Sequence, residues 1–125
     1  MRESTAMNRS IFVDIDGTLA DIRHRVHHIT SRDDTVATKT TDWDAFYADI
    51  KDDKPIVPTI ELVRSLYKNG CFIILITGRD AARVDLTKTW LKKHHVPWDA
   101  LLMRPIGDHR PDVKIKREWL HKIRD

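Results

Sequence analysis

The chain has 125 residues, 41% of them hydrophobic and 33% charged, with a net charge of +3. That length suits one domain with one core, burying about two-thirds of the unfolded surface. No apolar run is long enough to span a bilayer and no signal peptide opens the chain, so no membrane partner is expected. The mild positive charge favours an anionic partner without demanding nucleic acid. Cys71, the single cysteine, lies next to an apolar run and reads as a reduced core residue, which points to a cytoplasmic protein.

Residues 1–9 are polar and aperiodic, as a loose arm would be. The run Ile11-Phe12-Val13-Asp14-Ile15 then predicts a strand buried on both faces. It leads into Asp16-Gly17-Thr18-Leu19-Ala20. Side chains alternate along a strand, so Asp14 and Asp16 leave its end on one side, and Gly17 allows a sharp turn beyond them. A turn needs only one such residue, whereas chemistry can use two. The carboxyl edge of an open α/β sheet is where ligands bind. There, one carboxylate can attack phosphorus while its neighbour protonates the leaving oxygen and later deprotonates water. A hard cation such as Mg²⁺ would be needed so that phosphate can approach two like charges.

Residues 21–54 read as an insertion, placed to overhang the strand ends as a small lid. It holds the basic stretch around His24, Arg25, His27 and His28, then a Thr/Asp-rich loop to Thr41, then a short helix capped by Thr41 or Asp42. The histidines, with His94 and His95, lack the compact spacing of a metal site; His24, Arg25 and His28 suit contacts to a nucleotide. Trp43, Phe46 and Tyr47 offer either a surface for stacking a base or, at helical spacing, the core of the lid. Pro55 and Pro58 break the chain, and Thr59 is expected to cap a helix over residues 60–68 whose apolar face is Ile60, Val63, Leu66 and Tyr67. Asn69-Gly70 ends it.

Residues 72–76 predict a second buried strand running to Thr77-Gly78-Arg79. These three supply a hydroxyl, a permissive backbone and the N–H groups of a helix start, which together make a phosphate cradle, with Arg79 as a bidentate clamp. A helix over residues 82–94 turns Val84, Trp90 and Leu91 to the sheet, and Pro97 stops it. Residues 100–103 predict a third strand ending at Arg104. A loop through Asp108 and Arg110 leads to a last helix from Asp112, with Ile115, Trp119, Leu120 and Ile123 at helical spacing. Lys116, one turn after Asp112, is placed to neutralise an aspartyl-phosphate while Asp112 holds it. Alternating strands and helices imply a parallel sheet with right-handed crossovers.

The Asp-x-Asp-Gly-Thr motif after an apolar strand resembles the first motif of the haloacid dehalogenase (HAD) superfamily of phosphatases. Continued through Arg25, Thr77-Gly78-Arg79, Met103-Arg104, Gly107 to Asp112, and Lys116, the pattern is similar to the 3′-phosphatase domain of bacteriophage polynucleotide kinase and its freestanding relatives. The resemblance implies a HAD-like, Rossmann-type three-layer α/β domain with a small helical insertion after the first strand. It further implies a Mg²⁺-dependent phosphomonoesterase acting on 3′-phosphates of nucleic acid ends or nucleotides. Carried over by position, Asp14 is the nucleophile and Asp16 the general acid/base, and Thr77 and Lys116 bind the transferring phosphoryl group. Arg25, Arg79 and Asp112 support substrate or order the site, with Arg104, Asp108 and Arg110 on the same rim.

The same resemblance implies a fourth strand ending in an Asp-Asp pair that supplies the remaining metal ligand. The sequence given stops at Asp125, before any such strand. Asp14 and Asp16 are then a thin Mg²⁺ site, and the first strand keeps an unpaired apolar edge. Three arrangements answer this: a truncated chain, a homodimer pairing along that edge, or another carboxylate such as Asp108 acting as ligand. Two other readings of function stand beside the phosphatase: an inactive module that binds nucleic acid or phosphate, and a phosphatase of small metabolites. The choice among DNA, RNA and mononucleotide, and any kinase partner, stays open at this point.

Overall fold

The computed structural model describes residues 9–29 and 42–124. Most of the expected loose arm and the Thr/Asp-rich loop fall outside them. Three parallel strands make the central sheet in the order β1-β4-β5: β1 is Ser10–Asp14, β4 Phe72–Asp80 and β5 Ala100–Arg104. Four helices accompany them: α1 (Trp43–Ala48), α2 (Val57–Lys68), α3 (Val84–Lys93) and α4 (Asp112–Arg124). The mixed α/β architecture with a parallel sheet is as expected.

Alternation along the strands divides the apolar side chains between two faces. Val13, Ile73 and Leu75 join Ile60 and Val63 of α2 and Trp90 and Leu91 of α3 in one buried cluster. Ile74 and Ile76 face the other way, where α4 packs on β4 and buries Ile115. Trp119 is only half-buried, and Leu120 and Ile123 remain exposed. β1 is an edge strand, with Ile11 and Phe12 half-buried.

After β1 the chain coils on itself. The Ile15 carbonyl accepts from the N–H groups of Thr18, Leu19 and Ala20 at 3.2, 2.9 and 3.0 Å. Gly17 turns the corner at φ +81°, a conformation that costs glycine nothing. β2 (Ala20–Asp21) then pairs antiparallel with β3 (Lys54–Pro55), which closes the neck of the insertion. The described part of the insertion packs on the core, with Phe46, Tyr47 and Ile50 in the buried cluster. Asp42 caps α1, accepting from the Ala45 N–H at 2.9 Å.

Two boundaries differ from the sequence expectation. α2 starts at Val57 without a side-chain cap, so Pro58 lies inside the first turn and Thr59 is not the cap. Proline fits there because the N–H it lacks would have no partner anyway. β4 runs on through Asp80, with a register shift between Thr77 and Asp80, and α3 begins only after a single 3₁₀ turn over Ala81–Arg83. Gly78 and Arg79 therefore lie in an irregular strand end rather than at a helix start.

Trp90 ties α3 to the neck: it is 1% exposed, and its indole N–H donates to the Asp53 carbonyl at 2.9 Å. Trp90→Phe leaves that buried carbonyl without its donor and should lower unfolding free energy by about 1–3 kcal/mol. Trp90→Ala, which also opens a cavity, should lower it by about 3–5 kcal/mol. Denaturant unfolding of both variants checks this, and a Trp90→Phe variant within about 0.5 kcal/mol of the parent contradicts it.

Candidate active site

Parallel register brings the two motif strands to one edge. Asp14 pairs with Ile76, so the nucleophile candidate ends level with Thr77. From the opposite side α4 delivers Lys116, whose Nζ lies 3.1 Å from Asp14 Oδ1 and 3.0 Å from Asp112 Oδ2. Burial disfavours the Lys116 ammonium, but the two carboxylates outweigh it and hold its pKa above the ordinary value of 10.5. Asp14 Oδ1 also accepts from the Ile15 N–H at 2.9 Å, whereas no described residue donates to Oδ2. One oxygen is anchored and the other is available.

Gly78 is needed for close approach. A Cβ there would run into the Asp112 carboxylate, so only glycine lets Asp112 sit against the strand end and carry Lys116 inward. The Thr77 side chain is fully buried and its Oγ1 accepts from the Arg79 N–H at 3.1 Å. Arg104 donates to the Gly78 carbonyl (2.8 Å), the Asp108 carbonyl (3.0 Å) and Asp112 Oδ1 (2.8 Å). It fastens the loop before α4 to the end of β4, and its guanidinium is spent on that task.

Asp16 has a different environment. Arg79 reaches its Oδ1 through Nε at 3.0 Å and Nη2 at 2.6 Å, and Arg25 Nη2 reaches the same oxygen at 3.3 Å. No described residue donates to Asp16 Oδ2. Both arginines are buried and both also hold Asp53, which is 3% exposed. Arg25 grips it at 2.8 and 3.0 Å, Arg79 touches it at 3.2 Å, and His24 Nε2 adds a contact at 2.7 Å. The Arg25 guanidinium also lies 4.2 Å from the Phe46 ring centroid. In this structure the guanidiniums of Arg79 and Arg25 are both turned onto Asp16 and Asp53. His28 pairs with Asp49 at 2.9 Å, so His24 and His28 are both engaged inside the insertion.

Nothing in the local sequence marks Asp53 as part of the site. It lies in a run of charged residues, Lys51-Asp52-Asp53-Lys54, that reads as solvated loop. The cue that was there is electrostatic: two arginines near one acid call for a second acid, and the β2–β3 pairing returns residue 53 to that spot.

Beside these groups lies a cleft of about 660 Å³, whose lining includes Asp16, Gly78, Arg79, Asp112, Trp43 and Arg110. Asp14 and Lys116 are not among its lining residues, but Lys116 bridges Asp14 to the lining residue Asp112. Asp108 and Arg110 are on the rim as expected, but bound to each other. Arg110 forks onto both Asp108 oxygens at 2.8–3.1 Å and reaches Glu118 at 2.6 Å. Its hydrogen bonds hold the Asp108 carboxyl at about 2, below the ordinary 3.8.

Among the described residues no three His, Cys, Asp or Glu side chains converge as a metal site, and Asp108 is forked by Arg110. A partial set remains. The Asp14 carboxylate offers hard oxygen of the kind that Mg²⁺ takes when bound by one or two carboxylates, substrate phosphate and water.

A parallel sheet that ends in this acid pair, with a threonine on the next strand and a lysine from the following helix, defines a HAD-type phosphatase fold. The chain belongs to the family described as the polynucleotide kinase PNKP phosphatase domain, whose model matches residues 8–125. Among solved structures it is similar to a chain of the Pnkp1/Rnl/Hen1 RNA repair complex, at 24% identity and TM-score 0.68, over 96% of this chain and 33% of that one. A second Pnkp1/Rnl/Hen1 complex contains a chain at 26% identity and TM-score 0.65, with 94% and 36% covered. The class C acid phosphatase from Bacillus anthracis, with tungstate bound, shares the fold at 19% identity and TM-score 0.66, with 94% and 48% covered. The present chain spans about a third of the length of the repair-complex chains it matches. No curated protein matches it. Among the described residues no helix is long and apolar enough to cross a membrane.

Asp53→Asn removes one charge from a buried cluster and should destabilise the fold by about 3–5 kcal/mol. Glu118→Gln, at an exposed pair, should cost less than about 1 kcal/mol. Equal losses in thermal or denaturant unfolding would contradict the central place given to Asp53. The Asp108–Arg110 fork makes a separate prediction. A depressed carboxyl pKa stabilises the fold above the unfolded value of 3.8, and that contribution is lost as pH falls through about 2. NMR titration of the Asp108 carboxyl should show that midpoint in the parent and a return towards 3.8 in Arg110→Ala.

Proposed function

We propose that this domain hydrolyses phosphomonoesters through an aspartyl-phosphate on Asp14, and that its substrates are 3′-phosphates of polynucleotide ends or nucleotides. The observation that carries the proposal is the contrast between two neighbouring acids. Asp14 has one oxygen fixed by Lys116 and the Ile15 N–H and the other open, while Asp16 is held through one oxygen by two arginines. A carboxylate beside a lysine suits attack on phosphorus, and a rigidly held neighbour suits proton transfer.

In the first half-reaction Asp14 Oδ2 bonds to phosphorus as the ester P–O bond breaks. Asp16 Oδ2 gives its proton to the departing oxygen. In the second, Asp16 takes a proton from water, which attacks phosphorus and breaks the bond to Asp14. Lys116 and the Thr77 hydroxyl, at the same strand edge, are the groups that bind the phosphoryl oxygens, so most of the catalysis is placement and neutralisation of charge. Mg²⁺, held by Asp14 with phosphate and water, would offset repulsion between the phosphate and the two acids.

Family membership and the likeness to a chain of an RNA repair complex support a nucleic acid end as substrate. The second reading is a module that binds phosphate without turning it over. A panel of 3′- and 5′-phosphorylated oligonucleotides, with Mg²⁺ and with EDTA, separates the two. We expect phosphate release from 3′-ends, loss of release in EDTA, and a fall of about a thousandfold or more in a folded Asp14→Asn variant. Turnover that survives Asp14→Asn would remove Asp14 as nucleophile, and no turnover in the parent would favour the binding module.

A further inference from the structure

The sequence left open whether Trp43, Phe46 and Tyr47 form a stacking surface or the core of the insertion, and the structure divides the three. All three line the cleft that Asp16, Gly78 and Asp112 share, but Phe46 and Tyr47 are buried in the main cluster and only Trp43, 50% exposed, offers ring surface to it. A single exposed apolar side chain is ordinary; what sets Trp43 apart is its place on the cleft wall, on a support of other rings. Trp43 is held rigidly from behind. Its ring stacks on Tyr47 at 5.8 Å with planes 27° apart and meets Phe46 edge-on at 5.6 Å. Tyr47 in turn carries the Arg83 guanidinium 5.2 Å from its ring centroid, and Arg83 pairs with Asp44, next to Trp43 in α1. A planar group entering the cleft would add one more layer to an assembled stack, with little ordering left to do.

We infer that Trp43 is the nucleobase platform of this site: it stacks the base of the nucleotide whose 3′-phosphate lies at Asp14, and so selects nucleotide esters over esters that carry no base. The inference rests on the phosphatase reading above and adds what that reading lacks, a feature that recognises more than phosphate. The cleft is within the size range of small-molecule sites, about 300–1,000 Å³. Stacking accepts every base because each has a π face, so Trp43 would give selection for a nucleoside without sequence preference.

The test compares a nucleoside 3′-phosphate with 1-O-methyl-2-deoxyribose 3-phosphate, which keeps the sugar and phosphate and lacks the base. The parent should favour the nucleotide in kcat/KM by about tenfold or more, the order that one base–aromatic stack supplies. Trp43→Leu, which keeps apolar cover but has no ring, and Trp43→Ala should bring the ratio close to one. Equal losses on both esters, or an unchanged ratio, would overturn the inference and leave Trp43 as packing for α1. A second arm needs no turnover: in an Asp14→Asn background, the nucleoside 3′-phosphate should quench tryptophan emission, and Trp43→Leu should abolish most of that quenching. Equal quenching with and without Trp43 refutes the platform. If the parent hydrolyses neither ester, the phosphatase reading fails, and the fluorescence arm still decides whether a base stacks on Trp43.

Discussion

Two buried arginines set against two acids hold this site together. Arg25 comes from the insertion and Arg79 from the irregular end of β4, yet both converge on Asp16 and Asp53. Each ion costs several kcal/mol to desolvate, so none of the four is tolerable without the others. Their mutual need fixes where the insertion sits on the sheet, since Asp53 lies in the neck and Arg25 one short helical turn inside it. The same cluster takes up one oxygen of Asp16 and leaves the other facing outward. Rigidity of the acid and placement of the insertion are thus one interaction seen from two sides.

The side of Asp14, the proposed nucleophile, is lighter and more open. Asp14, Lys116, Asp112 and Arg104 form a chain of contacts from the end of β1 across α4 to the end of β5, and the missing side chain at Gly78 lets it close. Asp112 and Lys116 are partly exposed, which suits groups that must exchange a contact with each other for one with substrate. A stiff acid beside a yielding nucleophile pocket is an arrangement phosphoryl transfer can use, because little beyond position and charge is required of the protein.

The parts of this account carried by local sequence were readable in advance. Apolar runs named the three central strands, Asp14 and Asp16 marked the working edge, and the turn from Asp112 to Lys116 put a lysine beside an acid. What the sequence did not reveal depends on pairing at a distance. Asp53 sits among solvated-looking charges and is drawn inward only when β2 meets β3. The cradle expected at Thr77-Gly78-Arg79 was read as a helix start, but pairing of Asp80 with Arg104 keeps the chain in the sheet for longer. Arg79, Arg104 and Arg110 could be placed at the edge from sequence, yet their partners could not. All three are engaged with protein groups at the cleft wall.

The claim on which the mechanism stands is covalent attachment of the phosphoryl group at residue 14, and it can be seen directly. Acid quenching during turnover, borohydride reduction of the acyl-phosphate and peptide mass spectrometry would locate the modified carboxyl. The account predicts a reduced side chain at Asp14, dependent on substrate, with Asp16 unmodified. Modification at Asp16, or phosphate release with neither acid modified, would contradict it.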